Sequence, residues 1–323
     1  MKKVIAVIVS VLMLVSMLAG CGSKKSDTLK IAIVQQLDHS SLDEIRLAVE
    51  AEIAAKAAEK GMTVEFNEFN GQNDSTVLNQ IGAQVVSDKY DAIVPIATLA
   101  AQCMVTAAEG KDIPIVYAAI SSPADAGLTG LPKVTGTSDA LNTPFILDMM
   151  LAVNPDIQTV GLLFSNSEPN SATPISDAKA YLDAKGIAYL EKTGNTSGEV
   201  LDAANGLVGR VDAVFTPTDN TIMAAAGAVA EILTDAGIPF YAGADSFVTA
   251  GAFTTCGVNY TELGTYTADR VMDILAGGET PEYHVMDGGI ITVNTETAAA
   301  LGVDYSVFSD MASTVVEVTT AAE

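Results

Sequence analysis

Polar loops that follow predicted strands carry the side chains of this sequence that could do chemistry. Glu168, Asp219 and Asp245 each lie in such a loop. A carboxylate that is buried in a cleft requires a positively charged partner, so these residues indicate a position for a ligand ammonium group. Short polar side chains at strand ends are also common helix N-caps, and that interpretation stays open for each residue taken alone.

An anionic group on the same ligand would have to be bound without arginine. The three arginines of the chain all lie outside the polar loops, which argues against a bidentate guanidinium clamp. Thr98 opens a predicted helix, whose N-terminal N–H groups can bind an anion, and Ser121 and Ser122 lie in a neighbouring loop. A carboxylate at one side and an ammonium at the other is the pattern of an amino-acid site.

The sequence contains no pattern typical of an enzyme or of a bound cofactor. His39 has no nucleophile and acid beside it that would complete a catalytic set, so we interpret it as a polar loop residue. No Gly-x-Gly-x-x-Gly follows the first strand, no Walker-type loop occurs, and the cysteines and histidines lack metal-ligand spacing. We therefore expect no catalysis, no cofactor and no metal.

Short β-rich runs alternate with helical stretches from residue 29 onward, which predicts an α/β fold of parallel sheets with crossover helices. The predicted strands are 29–34, 63–67, 92–96, 115–117, 134–137, 159–164, 188–192, 213–216, 240–242 and 252–258. The predicted helices are 42–60, 76–87, 99–108, 144–152, 174–185, 221–236 and 263–276. In such sheets, ligands bind beyond the carboxyl ends of the strands, which is where the polar loops lie.

The second half of the chain repeats the first. Residues 91–98 and 212–219 share an Asp-initiated apolar strand that ends in a polar residue, at an offset of 121 positions. An Ile-Pro strand follows in each half, at 113–117 and at 238–241. The repeat predicts two similar βα lobes, and it places Thr98 and Asp219 at matching positions.

The N-terminus has the pattern of an export signal. Two lysines precede an apolar run from Val4 to Met17, and Leu18-Ala-Gly-Cys21 follows. The run is too short for a comfortable membrane span, and Cys21 after Leu-Ala-Gly resembles the acylated cysteine of bacterial lipoproteins. We expect a mature chain that is attached by lipid to the outer side of a membrane.

The net charge excludes one class of partner. The whole chain carries −24, and without Lys2 and Lys3 the mature part carries 14 − 40 = −26. Such a surface repels nucleic acid, so no nucleic-acid partner is expected. Half of the residues are apolar, which favours a folded protein with sizeable cores over a disordered acidic chain.

Four stretches together resemble a known family. The residues 29–43 (with Gln-Gln-Leu-Asp-His), 91–98, 134–139 and 216–221 (with Pro-Thr-Asp-Asn) are similar to those of ABC transporter substrate-binding lipoproteins, nearest to the tryptophan/tyrosine type. The similarity covers about residues 28–303. It implies a periplasmic-binding-protein fold of type I, in which two Rossmann-like lobes are joined by a three-strand hinge and the third crossing falls near Met286.

The resemblance also implies a domain organisation. The expected parts are a lipoprotein signal peptide (1–20), a tether (21–27), an N-terminal lobe (28–138 plus 259–286), a C-terminal lobe (139–258 plus 287–308) and a tail (309–323) that frays.

The function implied is that of a monomeric extracytoplasmic lipoprotein that captures a small ligand, an amino acid and more specifically an aromatic one, and delivers it to an ABC permease with its ATPase. The ligand contacts implied by the matching positions are Gln36, Ser41, Thr98, Ser122, Asn166, Glu168, Thr218, Asp219, Asn220 and Asp245. A ligand-sensing lipoprotein for a surface receptor and an extracellular enzyme on the same scaffold remain as alternatives.

Overall fold

The computed structural model describes residues 28–321. The predicted signal peptide, the lipid-attachment residue Cys21 and the tether lie outside the described residues. Two mostly parallel sheets, each covered by helices, make up the described part. We call the first sheet with its helices the N-lobe and the second the C-lobe.

The N-lobe begins the chain and receives one helix and one strand from its C-terminal part. Its first elements are β1 (Thr28–Gln35), α1 (Ser40–Glu59), β2 (Thr63–Asn70), α2 (Ser75–Asp88), β3 (Ala92–Ile96), α3 (Thr98–Ala107), β4 (Ile115–Tyr117) and β5 (Val134–Ser138). The later elements are α10 (Tyr260–Leu275) and β11 (His284–Val285). The six strands lie in the order β11-β5-β4-β3-β1-β2 and are paired in parallel.

The C-lobe is formed by the middle of the chain and its end. Its elements are α4 (Thr143–Val153), β6 (Thr159–Phe164), a 3-10 turn (Pro169–Ser171), α5 (Ala172–Lys185), β7 (Ala188–Thr193), α6 (Ser197–Asn205), β8 (Ala213–Phe215), α7 (Asn220–Met223), α8 (Ala226–Asp235), β9 (Phe240–Ala242), α9 (Asp245–Thr249), β10 (Thr254–Gly257), β12 (Ile290–Asn294), α11 (Thr295–Leu301), α12 (Phe308–Met311) and β13 (Thr314–Val318). The strand order is β13-β12-β10-β9-β8-β6-β7, and only the β10–β12 pair is antiparallel among the described strands.

The predicted fold class is confirmed. The chain passes between the two sheets three times: after β5, after β10, and between β11 and β12. Central strands such as β3 are buried along their whole length, because helices cover both faces of a parallel sheet. Helix α10 packs closely on α1 at Gly264, where an added Cβ would lie 2.7 Å from the Ala48 Cβ.

The aspartate that begins the repeated sequence in each half, Asp91 or Asp212, forms similar hydrogen bonds in both lobes. The Asp91 carboxylate accepts a hydrogen bond from the Lys30 N–H at 2.8 Å, at the start of β1. In the C-lobe the Asp212 carboxylate accepts from the N–H groups of Gln158 and Thr159, both at 2.8 Å, at the start of β6. Each aspartate therefore ties together the amino ends of two neighbouring strands.

Two predicted elements differ in the structure. The helix predicted at 221–236 is two helices, α7 and α8, because the backbone leaves the helical path at Ala225, whose φ is −122°. Three alanines at 224–226 favour a continuous helix there, and Gly227 is the weak helix former beside the break.

The expectation that residues 309–323 form a fraying tail is wrong for most of the segment. Residues 314–318 form β13, which pairs in parallel with β12 over five residues. The Asn294 Nδ2 donates to the Thr320 Oγ1 at 3.0 Å, and the Ala321 N–H donates to the Thr249 carbonyl at 2.9 Å. The β-branched residues Val315 and Val316 suit an edge strand, and hydrogen bonds hold the residues that follow.

A pair of substitutions in β13 tests this correction. Val315 packs against the C-lobe core, whereas the neighbouring Val316 is 41% exposed. We expect Val315→Asp to lower the free energy of unfolding by about 1–2 kcal/mol, because it places a charge against apolar side chains. Val316→Asp should change it by less than about 0.5 kcal/mol. Chemical denaturation measures both, and equal small effects would mean that the segment frays.

Candidate functional site

A narrow cavity lies between the lobes, at the carboxyl ends of strands from both sheets. Its lining residues are His39, Ser41, Leu42, Ala97, Thr98, Ala119, Ser121, Asp139, Asn170, Thr218, Asp219, Asn220, Met223, Ala244, Phe247 and Tyr260. This position between two α/β sheets is where such folds bind small molecules.

Unusual backbone turns shape the N-lobe wall of the cavity. Ala97 and Ala119 follow β3 and β4, and both have positive φ, 75° and 56°. With a ψ of 162°, Ala97 lies in a region that residues other than glycine rarely adopt. The turn directs the N-terminus of α3 toward the cleft. There the Thr98 Oγ1 is buried, and no group of the described residues forms a hydrogen bond with it.

A carboxylate from the first hinge crossing lies at the base of the cavity. Asp139 is 5% exposed, and from the residues between 28 and 321 it accepts only two side-chain hydrogen bonds, from the Ser121 and Tyr260 hydroxyls, both at 3.2 Å. Among the described residues no lysine or arginine forms an ion pair with it. Burial raises the pKa of Asp139 because it disfavours the charged carboxylate. A cation beside this carboxylate would stabilise its charged form.

A second carboxylate, Asp219, lies on the C-lobe wall and is bonded differently. It accepts from the N–H groups of Ser165 at 2.7 Å and Ile222 at 3.0 Å, and from the Ser171 hydroxyl at 2.7 Å. These bonds cap α7 and hold the loop after β6. Burial raises the pKa of Asp219, but its hydrogen-bonding capacity is largely used within its own lobe.

Asn170 and His39 each present a polar atom without a partner. The Asn170 Nδ2 donates to the Thr218 carbonyl at 2.6 Å, whereas its Oδ1 is buried and unpaired among the described residues. The Asn220 Nδ2 donates to Glu168 at 2.9 Å, so its Oδ1 faces the His39 Nε2 at 3.0 Å. His39 therefore carries its proton on Nε2, and burial lowers its pKa. Its Nδ1 is a buried acceptor without a partner.

Apolar side chains complete the cavity wall. Leu42 comes from α1, Met223 from α7, Phe247 from α9 and Tyr260 from the start of α10. The cavity thus has polar groups near the strand ends and aromatic and aliphatic surface between them. This combination is typical of a site for a small ligand with charged and apolar parts.

The cleft is closed by hydrogen bonds that run directly from one lobe to the other. The Gln36 Nε2 donates to the two Glu168 oxygens at 3.0 and 3.2 Å, and the Asn73 Nδ2 donates to the Thr221 Oγ1 at 3.0 Å. Burial, followed by the nearby Asp219 charge, raises the pKa of Glu168 to about 7. The Ser41 hydroxyl also contacts the Ser246 hydroxyl across the cleft.

Half of the residues predicted as ligand contacts line the cavity. Those that line it are Ser41, Thr98, Thr218, Asp219 and Asn220, and those that do not are Gln36, Ser122, Asn166, Glu168 and Asp245. Gln36 and Glu168 bond to each other across the lobes instead. The Ser122 hydroxyl donates to Asp125, Asn166 is exposed, and Asp245 lies beside the second hinge crossing.

Six further polar or aromatic residues line the cavity: His39, Ser121, Asp139, Asn170, Phe247 and Tyr260. The rule that ligands bind beyond strand ends points to Asp139, since it directly follows β5. Asn170 carries a weaker signal within a polar loop. Nothing in the local sequence separates the cavity-facing Tyr260 from a core tyrosine.

Comparison with known proteins identifies the family. The model of the ABC transporter substrate binding protein family matches residues 30–313. The chain belongs to that family. It is therefore a solute-binding protein of an ABC transporter, and such proteins act outside the cytoplasm and deliver their ligands to a permease. Members of the family bind solutes and are not enzymes.

Relatives of this solute-binding protein cover nearly the whole chain. The tyrosine-binding protein of Clostridioides difficile (strain R20291) is 32% identical over an alignment of 320 positions, which covers 93% of this chain and 92% of the relative. The ABC domain from Streptococcus pneumonia, solved in complex with L-Trp, has a TM-score of 0.82 at 27% identity and covers 90% of this chain and 100% of its own.

A third relative shows which conformation the structure has. The ligand-free, open structure of a substrate binding protein with adhesive properties from Clostridium difficile is 31% identical, with 91% and 100% coverage, but its TM-score is only 0.67. The more identical protein is therefore the less similar structure. Together with the hydrogen bonds between the lobes, this indicates that the present structure has a closed cleft.

The described part of the chain lacks two other classes of feature. Between residues 28 and 321, no helix combines the length and the hydrophobicity that crossing a membrane requires. The same residues contain no group of three or more His, Cys, Asp or Glu side chains placed to hold a metal ion.

The strained turn at Ala97 gives a prediction about stability. Ala97→Gly removes a Cβ from a conformation that costs about 1–3 kcal/mol for residues other than glycine, which offsets the loss of a buried methyl group. We expect the free energy of unfolding of the Ala97→Gly variant to equal that of the parent or to exceed it by up to about 1 kcal/mol. Ala100→Gly, within α3, should lower it by about 1 kcal/mol. Equal losses, measured by denaturant unfolding, would show that Ala97 is unstrained.

Proposed function

We propose that this protein captures a free α-amino acid with an aromatic side chain in the closed cleft and delivers it to an ABC permease. The observation that carries the proposal is Asp139, a buried carboxylate that lines the cavity without a cation. A ligand ammonium would supply the missing charge and donate hydrogen bonds to the remaining lone pairs of the carboxylate. Burial of both groups from water would make that pair strong.

The ligand carboxylate is assigned to the N-lobe wall, at the N-terminus of α3. None of the residues that line the cavity is lysine or arginine, so an anion must be stabilised by N–H groups and hydroxyls. The unpaired Thr98 Oγ1 lies there and can donate its proton. The positive end of the helix dipole adds to this attraction.

The aromatic side chain is supported by the cavity wall and by two relatives. Phe247, Tyr260, Leu42 and Met223 offer apolar surface of the kind that packs on a ring. One relative is named for tyrosine and another was solved with L-Trp. Both of those amino acids carry a hydrogen-bond donor on the ring, and the unpaired His39 Nδ1 is an acceptor in the same cavity.

The proposal changes the set of expected ligand contacts. We keep Ser41, Thr98, Thr218, Asp219 and Asn220, and add Asp139, Asn170 and His39. We assign Gln36 and Glu168 to closure, and no ligand contact to Ser122, Asn166 or Asp245. The lobes are proposed to run over 28–138 plus 259–286 and over 139–258 plus 287–321, and the protein to work as a monomer without enzymatic activity.

The attachment to the membrane is part of the proposal. The sequence before Cys21 fits a cleaved signal, and two acyl chains on that cysteine would anchor the mature chain stably. Metabolic labelling with palmitate should mark the parent protein and not Cys21→Ser, which should be released into the soluble fraction. Equal labelling of both would contradict the anchor.

A cycle of two ligands and two proteins tests the amino-acid site. Calorimetry with L-tyrosine and N-acetyl-L-tyrosine should show that acetylation weakens binding to the parent by about 30-fold or more, because it removes the charge that pairs with Asp139. Asp139→Asn should weaken L-tyrosine binding by a similar factor. Acetylation should then have a much smaller further effect, since the paired charge is already gone.

Asp245→Asn is the matched control, because it makes the same chemical change at a carboxylate outside the cavity. Its affinity for L-tyrosine should stay within about twofold of the parent. Failure of the parent to bind L-tyrosine and L-tryptophan would contradict the aromatic ligand. Equal affinity for the free and the acetylated form would contradict the ammonium subsite.

A further inference from the structure

A ring of hydrogen bonds joins the lobes beside the cavity. Gln36 and Asn73 come from the N-lobe, and Glu168 and Thr221 from the C-lobe; we call these four residues the latch. The Gln36 Nε2 donates to Asn73 at 2.7 Å and to Glu168 at 3.0 Å, the Asn73 Nδ2 donates to the Thr221 hydroxyl at 3.0 Å, and that hydroxyl donates to Glu168 at 3.2 Å. None of the four residues lines the cavity.

Neighbouring groups fix the direction of these bonds. The Gln36 Oε1 accepts from the Leu99 N–H at 3.0 Å, so the amide must turn its two N–H protons toward Asn73 and Glu168. On the other lobe the Asn220 Nδ2 donates to Glu168 at 2.9 Å, while its Oδ1 faces His39. Every partner therefore presents a donor to Glu168. This arrangement suits the ionised carboxylate, which can only accept hydrogen bonds.

The surroundings of Glu168 must change when the cleft opens. In the closed form its side chain is buried, and no lysine or arginine of the described residues pairs with it. A buried charge of this kind depends on its hydrogen-bond donors. Asn220 and Thr221 belong to its own lobe and can stay with it, whereas Gln36 lies on the other lobe. Only the closed form supplies that donor.

We infer that Glu168 is a positioning residue whose bond to Gln36 sets the population of the closed cleft, and that it does not contact the ligand. An interaction that exists in one of two conformations shifts the equilibrium by its own free energy. The latch therefore acts on closure whichever solute enters. This inference goes beyond the proposed amino-acid ligand and does not depend on it.

The rate of a disulfide cross-link measures closure without any ligand. The hydroxyls of Ser41 and Ser246 meet across the closed cleft, so Ser41→Cys with Ser246→Cys brings two thiols together only when the lobes close. Cys103 and Cys256 are buried and unpaired, and Cys21→Ser removes the third native thiol. With a fixed oxidant and exhaustively dialysed protein, the cross-linking rate is proportional to the closed population, even when that population is small.

Gln36→Glu is the decisive substitution in this background. It keeps an acceptor for the Leu99 N–H but places a second carboxylate against Glu168 in the closed form. We expect cross-linking to slow at least tenfold. Adding Glu168→Gln exchanges donor and acceptor between the lobes, and it should restore most of the rate. A residue that only supports the local fold would not be rescued by this exchange.

Gln72→Glu is the matched control, because it makes the same change one residue before Asn73 on an exposed side chain. It should cross-link at the parent rate. Thermal unfolding identifies any variant that fails to fold, and the exchanged pair then decides the test, since it no longer places two carboxylates against each other. Parent-like cross-linking in Gln36→Glu, or no recovery in the folded exchanged pair, would overturn the inference.

Discussion

Three carboxylates are buried in or beside a closed cleft without a cation, and the chemistry of the protein depends on how each is stabilised. Asp219 is stabilised within its own lobe, where it caps α7 and holds the preceding loop. Glu168 is stabilised by donors from both lobes. Asp139 has only two hydroxyl partners and faces the cavity. The same side-chain chemistry thus occurs in three settings: within one lobe, between the two lobes and at the cavity wall.

The topology explains why these groups meet. In each lobe a parallel sheet ends in polar loops at its carboxyl edge, and the two edges face each other. Thr98 and Asp219, which match in the internal repeat, both line the cavity and both stand at the start of a helix. One lobe presents an uncharged helix N-terminus there and the other a capping carboxylate. Two halves of similar fold therefore give the cleft two different ends.

Much of the fold could be predicted from the sequence because its signals are local. The strands β3, β4, β6 and β9 begin and end where their apolar runs do. The edge strand β13 was missed because five residues near the chain end carry too little pattern without β12 beside them. The break between α7 and α8 lies among three alanines that favour a continuous helix, and the nearby Gly227 alone does not predict it.

The site was predictable only in its location. The rule that ligands bind beyond strand ends correctly placed Thr98 and Asp219 at the cleft. It could not distinguish a carboxylate that faces the cavity from one that bonds to the other lobe. That difference depends on distant partners: Gln36 lies 132 positions before Glu168, and Tyr260 lies 121 positions after Asp139. The sequence therefore favoured Glu168, Asp219 and Asp245 for the ammonium, where we propose Asp139.

A crystal structure of the mature protein with L-tyrosine tests the central claim most directly. The account predicts that the ligand nitrogen lies about 3 Å from the Asp139 carboxylate, that the ligand carboxylate lies at the N-terminus of α3 beside Thr98, and that Gln36 still bonds to Glu168. A ligand nitrogen bound to Glu168 or Asp245, with Asp139 bonded only to Ser121 and Tyr260, would contradict it.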